Sequence, residues 1–174
     1  MATKEKKVYA IPILSKISRD CILEGDITIG KFVVVHPRVQ IKAIGGPIII
    51  GDRTIIEDKC KIVCPEGCPG MNIGKFNSLH VGTRIEGCEL IGDANEFGAG
   101  CFIGPNTKTI GSGCKIAPKT HVEGDIADNT SVSAVGDSIV TVSNDFSEDN
   151  KTKLKAYSDL TLPIFERAFP IRKK

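Results

Sequence analysis

The chain contains no Trp, and its aromatic residues amount to seven Phe and two Tyr. Any core built from it must be aliphatic. Net charge is nearly absent as well: 23 Lys and Arg against 21 Asp and Glu leave +2. That balance offers no electrostatic reason for nucleic acid or an acidic membrane to be the main partner. No apolar run approaches the roughly 20 residues that a membrane-spanning helix needs. The opening MATKEKKVYA is too polar for a secretory signal, so a cytosolic chain is expected, with its seven Cys as free thiols. The 174 residues are 41% hydrophobic and 25% charged, a composition ordinary for one soluble domain with a short tail.

What the chain does have is a period of six. Ile11, Ile17, Leu23, Ile29, Val35 and Ile41 stand six apart, and after a three-residue slip Ile50, Ile56 and Ile62 resume the spacing. An insertion, VCPEGCPGMN, follows. The period restarts at Ile73, Leu79, Ile85, Ile91, Phe97 and Ile103, and one further slip gives Ile110, Ile116 and Val122. Six fits neither the 3.6-residue turn of an α-helix nor the alternation of a hairpin sheet. It fits a parallel β-helix whose short strands end at corners, with three strands per coil and about six coils. Gly after the aliphatic residue, as in Ile50-Gly51 and Ile91-Gly92, is expected to serve the corners through its freedom of backbone angle. This all-β prism is expected over residues 1–142, its last coil running out around Ile126 and Val132. A linker and C-terminal helix follow over 143–174.

In the tail, Ser147 and Asp149 are N-cap candidates, and Lys151 to Leu162 reads as a helix with Leu154, Tyr157 and Leu160 on one face. Pro163 is expected to break it or to start a second turn reaching Phe169. Arg172, Lys173 and Lys174 read as a solvated end. The fifth residue of each hexad should point inward and be small; Cys21, Cys60, Cys101 and Cys114 stand there as packing residues. Cys64, Cys68 and Cys88 lie off that position. The spacing Cys60-x3-Cys64-x3-Cys68 does not match paired zinc ligands, and the loop 63–72 reads as a protrusion carrying two thiols.

The hexads resemble the left-handed β-helix of the hexapeptide-repeat proteins. GDITIG, IGDRTIIED and the C-terminal helix resemble its γ-carbonic anhydrase branch, in which three His from neighbouring subunits bind zinc. Placed on that pattern, the ligand positions are Val63, Val81 and Glu86, so the metal site is expected to be lost. His80 stands one residue before a ligand position, while His36 and His121 read as surface or loop residues. The segments GDITIGKFVVVHPRVQI, AIGGPIIIGDRTIIED, MNIGKFNSLHVG, IADNTSVSAVGDS and LPIFERAF resemble the small β-helix subunits of dynactin. That resemblance implies a non-catalytic scaffold without cofactor, in the cytoplasm and associated with the cytoskeleton. It implies pairing with a protein like dynactin subunit 5 and contact with other pointed-end subunits, including the actin-related capping subunit, in dynein cargo and adaptor attachment. Neither nucleic acid nor direct membrane insertion is implied. Phe32 and Val34, in an apolar cluster with Val33 and Val39, and Phe165 and Phe169 in the tail are the candidate partner-binding residues; covering by the chain's own helix is the alternative. Two enzymatic alternatives stand beside this reading: a divergent γ-carbonic anhydrase-like metalloenzyme, and a hexapeptide acyltransferase using one of the three His as general base.

Overall fold

The computed structural model describes residues 9–136, 138–143 and 147–172. Its backbone winds into a left-handed parallel β-helix of about six coils, and the aliphatic hexad residues form three stacked columns. On the first face Ile17, Val35, Ile56, Leu79, Phe97, Ile116 and Val132 pair in register from coil to coil. On the second, Leu23, Ile41, Ile62, Ile85, Ile103 and Val122 do so. On the third, Ile29, Ile50, Ile73, Ile91 and Ile110 stack, with Ile126 bridged beneath Ile110. Of the eighteen hexad residues all but the partly buried Ile11 are buried. At roughly 4.8 Å per coil the first column is roughly 29 Å long.

Between columns the inward corner positions are small, as the spacing predicts. Cys21, Cys60, Cys101 and Cys114 are buried there. Asn77 and Asn95 turn a neighbouring corner polar and satisfy it. The Asn95 backbone N–H donates to Asn77 Oδ1 at 3.0 Å, and that of Cys114 donates to Asn95 Oδ1 at 2.7 Å. Each amide side chain donates in turn to a glycine carbonyl. A buried polar ladder of this kind is tolerated because every member finds a partner.

The glycines act differently from the expectation. At the corner three residues after the aliphatic residue, the left-handed backbone angles fall mostly on other residues: Phe32, Arg38, Arg53, Lys59, Phe76, Ala94, Lys119 and Asn129 have φ between 55° and 62°, beside Gly82, Gly100 and Gly113. Gly51 is required by space instead. A Cβ there would lie 2.5 Å from the backbone of Gly74 in the next coil. The Gly-Gly-Pro slip has a similar cause. Added Cβ atoms at Gly45 and Gly46 would lie 2.0 and 2.3 Å from the carbonyl oxygens of Pro65 and Pro69. The insertion is therefore seated on the preceding coil, and its thiols, though free, are not held out on a protrusion: Cys64, Cys68 and Met71 are buried in the core.

The last coil ends in a hairpin, Thr130–Val135 pairing antiparallel with Ser138–Ser143. A single helix, α1 (Ser147–Ala168), then returns along the first face. Pro163 lies inside it without ending it; the missing N–H deprives one carbonyl only. Its inward residues are Leu154, Ser158 and Phe165, with Leu162 and, just past its end, Phe169 partly covered. Leu160 faces solvent, 67% exposed, and Tyr157 lies at the edge of the contact with its hydroxyl reaching the prism, contrary to the expected stripe. The N-cap side chains, like Lys173 and Lys174, fall outside the described residues. Arg172 is not a solvated end: its guanidinium donates to the Cys21 carbonyl and its backbone N–H to that of Ile17.

An unpaired carboxylate in the dry column costs several kcal/mol. Ile56→Asp and Ile91→Asp should each abolish the cooperative unfolding transition seen by circular dichroism. Leu160→Asp should melt within about 0.5 kcal/mol of the unsubstituted chain.

Candidate functional site

The outward positions of the first face form the surface on which α1 lies. One ladder reads Lys16, Val34, Ile55, Ser78, Glu96, Lys115 and Ser131 from coil to coil. Val34, Ile55 and Phe165 make a small buried cluster, with Leu162, Phe169 and Ile171 packed against it. Polar ties secure the helix: Lys16 to Glu166 at 2.9 Å, and Arg53 to Asp159. Arg53 also lies over the Phe32 ring, 4.7 Å from its centroid. Of the four candidate partner residues, Val34 and Phe165 are thus enclosed within the chain. Phe32 and Phe169 are half-buried. A partner reaches Val34 or Phe165 only if α1 lifts.

His36 is no surface residue. It lies beneath α1, its ring 4.9 Å from that of Phe165 and 5.8 Å from that of Phe169. Burial pulls its pKa down, against the upward pull of Asp58 and Glu57. His121 is exposed, bonded to Glu123 at 2.9 Å and tilted against Phe102.

His80 is the chemically distinctive residue. It follows Leu79 on the first face and so points outward, between carboxylates from both adjacent coils. Nδ1 is 3.1 Å from Glu57 Oε1 and Nε2 is 3.4 Å from Glu96 Oε1. Glu57 also accepts the Val81 N–H at 3.0 Å and the Tyr157 hydroxyl at 3.3 Å. The hydrogen bonds to Glu57 and then to Glu96 push the His80 pKa up to about 10, against desolvation. Glu96 is lowered first by its hydrogen bond to His80; Glu57 is lowered by the same partner despite a burial effect that opposes it. The imidazole is therefore protonated at neutral pH, with both nitrogens donating. A trough of about 550 Å³ opens beside this triad, floored by Gly98, Ala99, Ala117 and Pro118 and walled by Lys115 and Lys153.

The ligand positions of the γ-carbonic anhydrase pattern do not fit a metal. Val63 and Glu86 are cross-strand neighbours on the second face, and Val81 lies at the corner beyond His80, 46% exposed. Two of the three have no donor atom, so three protein ligands cannot be assembled there. Among the described residues no group of three or more His, Cys, Asp or Glu is placed to hold a metal ion. Four of the buried thiols are unsuited to nucleophilic chemistry. Burial raises Cys21 and Cys101 to about 11, and Cys60 and Cys88 to about 12. Cys60 and Cys64 also serve different corners, Cys60 donating to the His80 carbonyl and Cys64 to that of Cys68.

Sequence comparison brings dynactin to the fore. Dynactin subunit 6 of Nematostella vectensis is 36% identical over 103 residues, 53% of this chain and 55% of that protein. That of Xenopus tropicalis is 35% identical over 94 residues, 48% and 46% of the two chains. By sequence, the chain is similar to dynactin subunit 6 over those spans. It spans about half the length of these curated relatives. A probable carbonic anhydrase of Methanocaldococcus jannaschii is 33% identical over 75 residues, 43% of this chain and 46% of that one. No family model matches. Among solved structures, a hexapeptide transferase family protein from Anaplasma phagocytophilum superposes with a TM-score of 0.74 at 14% identity, covering 92% of this chain and 93% of that one. That likeness is one of fold. No helix is long and apolar enough to cross a membrane among the described residues.

The pH dependence of stability follows from the triad. His80 is raised above its unfolded value of about 6.5, so its contribution is complete below about pH 6.5 and fades as pH climbs towards about 10. Glu57 and Glu96 are lowered, so theirs is present above the ordinary carboxylate range and lost as pH falls below it through their lowered values. Replacing His80 by Gln should lower the melting temperature at pH 6.5 and have a smaller effect at pH 10.5, read by thermal denaturation at both pH values.

Proposed function

We propose that the chain is a non-catalytic scaffold subunit of a dynactin-type complex. It pairs there with a β-helix protein like dynactin subunit 5 and contacts the actin-related capping subunit and other pointed-end components. In this role it serves dynein cargo or adaptor attachment in the cytoplasm, in association with the cytoskeleton. The observation that carries the reading is the state of His80. The histidine bordering the trough lies between Glu57 and Glu96, each ring nitrogen facing a carboxylate oxygen at 3.1 and 3.4 Å, an arrangement that favours its protonated form over the general base that acyl transfer needs. The similarity to dynactin subunit 6 supplies the partner class. A rigid prism with flat faces suits docking of protein along its length.

The similarity to a probable carbonic anhydrase favours a metalloenzyme reading, but Val63 and Val81 supply no ligand atom. The deciding experiment is affinity capture of the tagged chain from cytosol of its own source, with mass spectrometry of co-purifying proteins and assay of bound zinc. Recovery of an actin-related protein, a larger pointed-end subunit and a second β-helix protein, without stoichiometric zinc, is the expected result. A zinc-bearing homotrimer without those partners would refute the scaffold reading.

A further inference from the structure

The contact between α1 and the first face changes character half-way along. Val34 and Ile55 meet Phe165 in a dry cluster. One coil further on the ladder position is Ser78, opposite the helix around Leu154. Ser78 is 1% exposed, and its Oγ is buried with no hydrogen-bond partner. It borders a cavity of about 240 Å³ together with His80, Glu96, Lys153, Leu154 and Tyr157. The cavity adjoins the trough described above, sharing His80, Glu96 and Lys153 with it. A buried hydroxyl without a partner carries an unmet desolvation cost that a ligand acceptor would relieve.

The charge around the two cavities selects the sign of that acceptor. Glu57 and Glu96 give two negative charges; His80, Lys115 and Lys153 give three positive ones, an excess of one. Both carboxylates already accept from His80, and Lys115 approaches Glu96 at 4.0 Å. The Tyr157 hydroxyl donates to Glu57. The Ser78 hydroxyl and the Lys153 ammonium are donors on opposite walls of the smaller cavity, one from the prism and one from the helix. Beyond them the floor at Gly98, Ala117 and Pro118 is apolar and without long side chains.

We propose that this cavity binds an organic monocarboxylate, its anionic group held by Ser78 and Lys153 and its apolar portion lying along the trough floor. The site is independent of the scaffold role and needs no catalysis. One positive charge in excess matches one carboxylate, and an apolar chain replaces water over the glycine and alanine floor. An acidic side chain of a protein partner carries the same chemistry, so both sources enter the test.

The test is titration of the isotope-labelled chain with hexanoate, followed by backbone amide NMR, with hexanol and hexylammonium as probes of the same length. Hexanoate is expected to shift Ser78, Gly98 and Ala117 saturably, hexanol to bind about tenfold more weakly, a difference near 1.4 kcal/mol, and hexylammonium not to saturate. Lys153→Met and Ser78→Ala should each weaken hexanoate several-fold, with the melting temperature unchanged for the exposed Lys153. No saturable shift from hexanoate, equal binding of hexylammonium, or full affinity in Lys153→Met would overturn the proposal. Saturation by a short acidic peptide where hexanoate fails would likewise overturn it, placing the carboxylate on a protein.

Discussion

Everything in this molecule hangs on one packing constraint: an aliphatic side chain every six residues must land on the one a coil below. Each buried residue contributes about 1.5–3 kcal/mol of transfer energy, and no coil can bury its own without a neighbour. The columns hold even where coil length changes. Ile41, Ile62 and Ile85 remain in register across the Gly-Gly-Pro slip and the insertion, because the extra residues are absorbed at one corner. There Gly45 and Gly46 let the next coil approach, and Cys64, Cys68 and Met71 fill the widened interior. The missing Trp has the same origin, since the triangular interior admits a single large ring, Phe97, among its columns.

Regular columns fix what points outward, and so the site follows from the frame. Glu57 and His80 each follow the aliphatic residue of stacked hexads, and Glu96 precedes that of the next coil. A rigid stack brings them together over 23 and 16 residues of chain without a flexible loop. The consequence is a histidine spent on structure. Its proton is shared with two carboxylates from neighbouring coils, and the helix adds Tyr157 to the same Glu57. A surface arranged in this way ties coils to helix and leaves little for proton transfer. That is in keeping with the scaffold role proposed above.

The period of six was readable because one residue class carries it, and the corner cysteines followed from the same count. The triad was readable in principle, since stacking the hexads sets Glu57 beside His80; it was missed because the insertion stretches that coil to 23 residues, so a count of three hexads does not bring the two together. The helix shows the opposite failure. A stripe through Leu154, Tyr157 and Leu160 satisfied the rule for an apolar face, yet the seat is set by Val34 and Ile55, which receive Phe165. The helix is turned so that Leu154, Ser158 and Phe165 lie inward and Leu160 stays out. Similarly, the glycines were assigned to backbone freedom when the constraint was contact with the coil beneath. Local sequence carries propensity; it does not carry the distance to a neighbour 21 residues away.

The account's central claim is that the prism's trough holds a histidine already committed to its own fold. The direct measurement is a ¹⁵N and ¹³C NMR titration of the His80 ring. The account predicts that both ring nitrogens stay protonated through neutral pH, with a midpoint near about 10. A neutral ring at pH 7.5, with one bare nitrogen facing the trough, would contradict it and restore a general base to this face.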